Sequence, residues 1–293
     1  MFRFQLAIAA TVGLLLLTTL PIGVPPQADP LTPTPLTSDA PAPRSTMTPI
    51  SWVYLPIMIT QPTLTPTPSP TPNTCAAIPG VNYSSLSVNP PPSDRPAEQH
   101  ADLNLALRSY APTGGFLGLV DYNGPTDPNA PQLPGLFADR RTPTFDSVYK
   151  VYNWDWGCNC RSSLISSPEV TLAKLATAPG EIISLPGSGS RIGRLNGDFQ
   201  ALVLYASEER ITLKYTRDDN VVQGYTIHLE NVCVEPSLLA LYRSLNAAGR
   251  GQLPALQGFQ PLGRARGTTI GVAVRDTGQF MDPRSRKDWW QGR

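Results

Sequence analysis

The order of apolar and polar positions divides the chain into an apolar start, a long stretch without periodicity and a patterned remainder. After Met1-Phe-Arg3, residues 6–24 are almost wholly apolar, with Thr11, Thr18 and Thr19 inside the run. A readable pattern begins near Asp94. Leu103, Ala106, Leu107 and Tyr110 fall at i, i+3, i+4 and i+7, which predicts a helix ended by Pro112 and Gly114-Gly115. Phe116 to Val120 reads as a short buried strand, and Asp121 to Asn129 as turn chemistry. From Val148 onward the chain is mostly strand. Ala201 to Tyr205 is one apolar strand. Ile211, Leu213 and Tyr215 then alternate with Arg210, Thr212, Lys214 and Thr216, a period of two. Arg217 to Asn220 supplies a turn, and Val221 to Leu229 the return strand of a hairpin. One strong helix interrupts at 236–248: Pro236 suits its first position, Leu238, Leu241, Tyr242 and Leu245 its apolar face, and Gly249 its end. Ile270 to Val274 is a further strand. The expected domain is mainly β with two added helices.

Composition sharpens this division. Of 33 prolines, residues 21–100 hold 20, and the first 93 residues carry four charges, Arg3, Asp29, Asp39 and Arg44. Residues 1–28 therefore read as a secretory signal peptide or a single N-terminal anchor, the only membrane contact expected. Both readings put the rest of the chain outside the cytoplasm, extracellular or on the cell surface. Residues 29–92 read as a disordered Pro/Thr-rich stalk, because proline fixes φ and removes a donor. An apolar island at 51–60 (Ser51-Trp-Val-Tyr-Leu-Pro-Ile-Met-Ile-Thr60) is either a docked strand or a surface-attachment element. Residues 93–149 form a helical and loop lead-in, and 150–293 the β domain. A net charge of +1 argues against a nucleic-acid partner, which demands a basic stripe. Oxygens at Asp121, Asn123, Asp127 and Asn129 suggest a calcium loop, but the glycine and glutamate of an EF-hand are missing, so a plain turn is expected.

Four stretches from Asp155 onward resemble the lysostaphin-type zinc metallopeptidases, which cut peptide cross-links in bacterial cell walls. Gly258-Phe-Gln-Pro-Leu-Gly263, Ile270 to Gly278 and Met281-Asp-Pro283 are similar to that family's closing turn, "HxHFEVR" strand and terminal motif. Gly224-Tyr-Thr-Ile-His-Leu229 is similar to its "YxHL" strand, Val170 to Ile183 to "TPVxAxxxGxV", and Asp155-Trp-Gly-Cys-Asn159 falls where it has "HxGxD". The island before the Thr-Pro run likewise resembles patches in secreted proteins of Chloroflexus-like phototrophs. The likeness implies a lysostaphin-peptidase-like antiparallel β-sheet and denies the usual mechanism. Zinc hydrolysis needs three protein ligands and an open position. The ligand positions here hold Asp155, Asn159 and Gly271, Thr269 stands for the general base, and only His228 survives.

The cysteines leave two alternatives. Cys158, Cys160 and Cys233 with His228 would make a zinc set by softness. An exported chain with four cysteines instead forms disulfides. Because an extended Cys-x-Cys seldom bridges itself, Cys158 and Cys160 are expected to pair with Cys75 and Cys233, one each. His228 is either a hydrogen-bonded structural residue or a functional base. The tryptophan pairs Trp154/Trp156 and Trp289/Trp290 either close the core or stack on sugar rings. The resulting expectation is an envelope-associated, non-catalytic protein without cofactor or metal. It binds a cell-wall peptide or glycan in a groove lined by Trp154, Asp155, Trp156, Asn159, His228, Thr269 and Gly271. The rivals are a hydrolase with a rearranged metal or Cys/His site, and a structural assembly protein.

Overall fold

The structure, a computed structural model, describes residues 75–194 and 198–293. The leader at 1–28, the island at 51–60 and the Pro/Thr run at 61–74 lie outside the described residues. Strands β1 (Ser84–Ser87), β2 (Tyr110–Pro112), β3 (Phe145–Asp155), β4 (Cys160–Leu164), β5 (Leu172–Ala176), β6 (Ile182–Ser184), β7 (Gly193–Arg194), β8 (Asp198–Ala206), β9 (Arg210–Lys214), β10 (Tyr225–Glu230), β11 (Val232–Val234), β12 (Gln252–Gln257), β13 (Pro261–Ala265), β14 (Thr269–Asp276) and β15 (Gln279–Met281) carry the fold. The α-helical segments are α1 (Leu105–Arg108), α2 (Pro236–Ala247) and α3 (Arg286–Trp289). The large sheet runs β1-β12-β8-β9-β10-β14-β5-β3-β2, and a small one runs β11-β13-β6. The strands pair antiparallel, so the mainly β, antiparallel expectation holds.

Alternation along the central strands creates two unlike faces. One face carries Ile211 and Leu213, Ile227 and Leu229, Val272 and Val274, and Ala173 and Leu175, side by side in register. These side chains are almost free of solvent contact and form one core with Val232 and Leu262 of the small sheet, with Leu133 and Leu136, and with Trp289 and Trp290. Burial of each such valine, leucine or isoleucine side chain stabilises the fold by about 1.5–3 kcal/mol. The opposite face carries Arg210, Thr212 and Lys214, then Thr226, His228 and Glu230, then Gly271, Ala273 and Arg275, then Lys174. The functional question concerns this polar face.

α2 follows its sequence signals. Glu235 caps it by accepting from Ser237 N and Leu238 N, Pro236 opens it, and Gly249 follows its end at φ 93°. Its buried side chains are Leu238, Leu239 and Tyr242, so Leu239 is buried while Leu241 and Leu245 of the expected face are only half-buried.

The lead-in differs from expectation. The predicted helix over Leu103–Tyr110 is a single turn, ended at Ser109 with φ 58°, and Tyr110 belongs to β2 opposite Val151. Tertiary bonds override the helical period: buried Arg108 donates to Ala101 O, Tyr152 O and the Asp102 carboxylate. Phe116 to Val120 is not a buried strand, since Phe116 is 67% and Leu117 50% exposed. Its backbone serves buried Arg284 instead, through Phe116 O. The stretch given to the stalk also ends earlier than 92, because β1 pairs with β12 and Leu86 is buried. Asp121–Asn129 is irregular turn structure, as read.

The disulfides are Cys75–Cys233 and Cys158–Cys160, which corrects the expected cross-pairing. Cys158 and Cys160 flank a turn, not an extended strand: Asn159 sits at φ 51°, and this brings their Cα atoms to 5.3 Å. Both pairs are compatible with an oxidising, extracellular location. Among the described residues no helix is long and apolar enough to cross a membrane.

Trp289 and Trp290 are core, not a sugar platform. They are 1% and 0% exposed, and their indole N–H groups donate to Asp282 O and Pro283 O at 2.9 Å. Trp290 packs edge-on against Phe145 at 5.9 Å. Trp290→Ala is expected to lower unfolding free energy by about 3–5 kcal/mol, read from chemical denaturation. A loss within experimental error would show that this end of the chain does not close the core.

Candidate binding cleft

The lead-in segment lies across part of the polar face and divides it. Asp102 is placed between two guanidinium groups, 2.7 Å from Arg108 Nη2 and 2.7 Å from Arg275 Nη1. Burial alone pushes its carboxyl up. The charges and hydrogen bonds of Arg275 and Arg108 outweigh that and hold it down at about 2. Arg275 is itself buried and also donates to Gly278 O. This triad holds Leu103 and Leu105 down over the sheet, where Leu105 packs with Leu172, Ala273 and Phe280.

His228 lies beneath that plug, 1% exposed. The Thr212 hydroxyl gives its one hydrogen to Leu103 O at 2.6 Å, so His228 Nδ1, 3.0 Å from the same oxygen, carries a proton and donates it there. Nε2 then presents a bare lone pair, and no group among the described residues meets it. The ring stacks on Phe280. Burial, then the Arg275 charge, drive its pKa well below the usual imidazole range. A sealed, neutral imidazole whose proton faces a structural hydroxyl fits the structural alternative. Two residues back along β10, Thr226 Oγ1 is also buried without a partner. Lys214 is fully buried on the same face and donates to Gln223 O and Gly224 O, with burial pushing its ammonium down to about 8.

Beyond the plug the polar face opens into a cleft of about 300 Å³, lined by Tyr110, Lys174, Glu209, Arg210, Glu230, Asn231, Thr269 and Gly271. Glu230 and Arg210 face each other in register across β10 and β9, 3.1 Å apart, and Arg210 also meets Glu209 at 3.0 Å. Burial pushes the Glu230 carboxyl up against the pull of Arg210. Asn231, at φ 64°, donates from Nδ2 to Thr269 O and ties the rim to β14. Gly271 forms the floor: a Cβ there would come within 3.2 Å of Glu230 Cβ. Lys174 lies over the Tyr149 ring, 5.0 Å from its centroid. Among the described residues, no carboxylate lies within ion-pair distance of Lys174.

The seven groove residues predicted from sequence thus fall in three places. Thr269 and Gly271 line the open cleft, and His228 is sealed below the plug. Trp154, Asp155, Trp156 and Asn159 sit at the tip of the β3–β4 hairpin. There Asn159 Oδ1 accepts from Arg95 and Trp154, and Asp155 Oδ1 accepts from Gly157 N. A zinc of the lysostaphin type does not fit these residues. Asp155 and Asn159 spend their oxygens on the turn, Gly271 offers no side chain, and His228 Nε2 is enclosed. The alternative set of Cys158, Cys160, Cys233 and His228 is not assembled either. All four cysteines are in disulfides, which also removes the free thiol a Cys/His hydrolase requires. Among the described residues no group of three or more metal-capable side chains converges.

Lys174, Arg210, Glu230 and Tyr110 were missed by sequence reading. A signal existed for one of them: Arg210 is a polar position of the predicted hairpin, and antiparallel register sets it opposite Glu230, one residue beyond the predicted return strand. Comparison with known protein families, with curated proteins and with solved structures finds no match to this chain.

The depressed pKa of Asp102 links stability to pH with a definite sign. The unfolded carboxyl titrates near 3.8 and the folded one at about 2, so the contribution is full above about 4 and vanishes as pH falls through about 2. It amounts to about 2 kcal/mol. Asp102→Asn is expected to cost about 3–5 kcal/mol at pH 7, through uncompensated guanidinium charge, and to flatten the acid limb of a urea-denaturation series. An acid limb as steep as the wild type's would refute the triad's role.

Burial of neutral His228 acts on a higher window. Below pH about 6.5 the unfolded imidazole takes up a proton that the folded one refuses, so stability falls from pH 7 towards pH 5. His228→Gln is expected to remove most of that slope, His100 supplying the remainder because its pKa is also lowered, chiefly by burial. An unchanged slope in equilibrium unfolding would contradict this.

Proposed function

We propose that the chain works outside the cytoplasm as a non-catalytic, envelope-associated binding module, and that the cleft at Thr269 and Gly271 takes a peptide or glycan of cell-wall type. The observation that carries this reading is Lys174, a cation with no carboxylate partner among the described residues, at the edge of a polar cleft whose other charges are fixed by one another. Such a site supplies one free charge for a ligand carboxylate, an aromatic wall at Tyr110, and amide and carboxylate oxygens for ligand N–H and O–H groups. Wall peptides bring both free carboxylates and amide groups.

The supports for the wider reading are of separate kinds. The apolar leader and the two disulfides favour export. The resemblance of the β14 strand to the wall-peptidase "HxH" strand puts Thr269 and Gly271 at the positions that would face a wall peptide. The enclosure of His228 favours binding over hydrolysis.

The test is calorimetry and co-sedimentation with purified wall and soluble wall fragments. Lys174→Gln is expected to weaken binding by about 10–100-fold, the scale of a charge-assisted hydrogen bond. Thr269→Tyr, which fills the cleft, abolishes binding, and no new amino or reducing ends appear. Trp156→Ala leaves affinity unchanged if the cleft is the site, and removes it if the hairpin tip is. Wild-type protein that stays in the supernatant would overturn the reading and favour an assembly role for the island at 51–60.

A further inference from the structure

We propose that Cys158–Cys160 is a thiol–disulfide exchange site, opened by an external thiolate such as a small thiol or a protein dithiol, while Cys75–Cys233 is a structural crosslink. The first observation is access. Cys158 and Cys160 are both exposed at the tip of the β3–β4 hairpin, whereas in the other pair Cys75 is exposed and its partner Cys233 is 5% exposed within β11, so only one of those two sulfurs is open to solvent. The attacking thiolate must approach along the S–S axis, so exposure decides which bond reacts.

The second observation is that the hairpin does not need the bond. The disulfide joins residues two apart and removes little freedom from the unfolded chain, in contrast to the 158-residue separation of Cys75 and Cys233. The turn is already held by side chains. Asp155 Oδ1 accepts from Gly157 N at 2.8 Å, and Asn159 Oδ1 accepts from Trp154 Nε1 at 3.3 Å and from Arg95 Nη1 at 2.8 Å. The two sulfurs therefore stay near each other when reduced, which places both thiols of the reduced pair within reach of one incoming disulfide.

The third observation is the surroundings. Arg95 stacks over Trp156 at 5.2 Å, His100 meets the same ring edge-on at 5.1 Å, and Arg161 follows Cys160 directly. Of these, Arg95, bonded to Asn159 between the two cysteines, and Arg161 carry the positive charge, and cations near a cysteine favour its thiolate. Trp156, 43% exposed, offers an apolar landing for a partner carrying the attacking thiol.

The reaction balances with that thiol as reductant. A thiolate RS⁻ attacks Cys160 Sγ, the R–S–Sγ bond forms and the Cys158–Cys160 bond breaks. Cys158 leaves as thiolate, takes a proton from solvent, and can donate it to Asp155 O, 3.7 Å from its sulfur. A second thiolate then attacks the mixed disulfide and leaves as RSSR. The sum is one protein disulfide and two RSH giving one protein dithiol and RSSR, a two-electron exchange that runs in reverse to oxidise a substrate dithiol.

The experiment uses the folded full-length chain under graded dithiothreitol, trapped with N-ethylmaleimide and mapped by mass spectrometry. Cys158 and Cys160 are expected to label first, with Cys75 and Cys233 unlabelled until denaturant is added. The melting temperature then falls by no more than about 2–4 °C. In a second measurement, oxidised protein at substoichiometric amounts, with a small-molecule disulfide RSSR as terminal oxidant, speeds disulfide formation in a dithiol peptide, and the Cys158→Ser/Cys160→Ser double variant, folded with the same small shift, does not. Labelling of both pairs together, labelling of neither without denaturant, or transfer no faster than the uncatalysed rate would each overturn the proposal.

Discussion

Asp102 is the residue on which the arrangement of the polar face depends. Arg275 projects from β14 with no exposed path for its charge, and Arg108 is buried beside it. Two guanidinium groups in low dielectric require an anion, and Asp102 reaches both at 2.7 Å. Because Asp102 and Arg108 flank Leu103 and Leu105, satisfying the charges also presses Leu105 onto Leu172, Ala273 and Phe280, while Leu103 joins the main core. Charge compensation and hydrophobic burial thus hold the same segment. A second buried pair, Asp219 with Arg250, does similar work elsewhere on the sheet, linking the loop before β10 to the turn between α2 and β12.

The plug turns one continuous face into two environments. Under it, His228 is neutral, oriented by Thr212 and excluded from solvent. Beyond it, Lys174, Arg210 and Glu230 remain in an open cleft. The difference lies in coverage, because His228 and Glu230 are neighbours on one side of a single strand. A proton-transfer or metal role requires access that the first environment denies, while binding requires only what the second provides.

The two disulfides separate along the same logic. Cys75–Cys233 fastens the start of the described chain to β11 beside a groove of about 720 Å³. Cys158–Cys160 lies on a turn already set by Asp155 and Asn159, where it constrains almost nothing further. Sequence position alone does not distinguish them. Exposure and local hydrogen bonding do.

Periodicity alone determined a good share of the fold. The strands at 201–205, 211–215 and 270–274, the hairpin partner ending near Leu229, and the helix opened by Pro236 and closed by Gly249 are all local patterns. Local patterns survive when tertiary forces agree with them. Where they disagree, the sequence misleads: Leu103–Tyr110 has a helical period, but Arg108 and Asp102 find better partners across the sheet and leave one turn. Thr212 and Lys214 look like a solvated face of β9 and are buried, because what covers a strand is not written in the strand. The cysteines show the limit most clearly, since pairing depended on a left-handed Asn159 that no spacing rule reveals. Likewise, the resemblance to the wall peptidases implied Thr269, Gly271 and His228 as one site. Only the tertiary structure decided that a segment 120 residues upstream of His228 would lie between them, because long-range charge compensation is a property of the folded surface and not of any window of the chain.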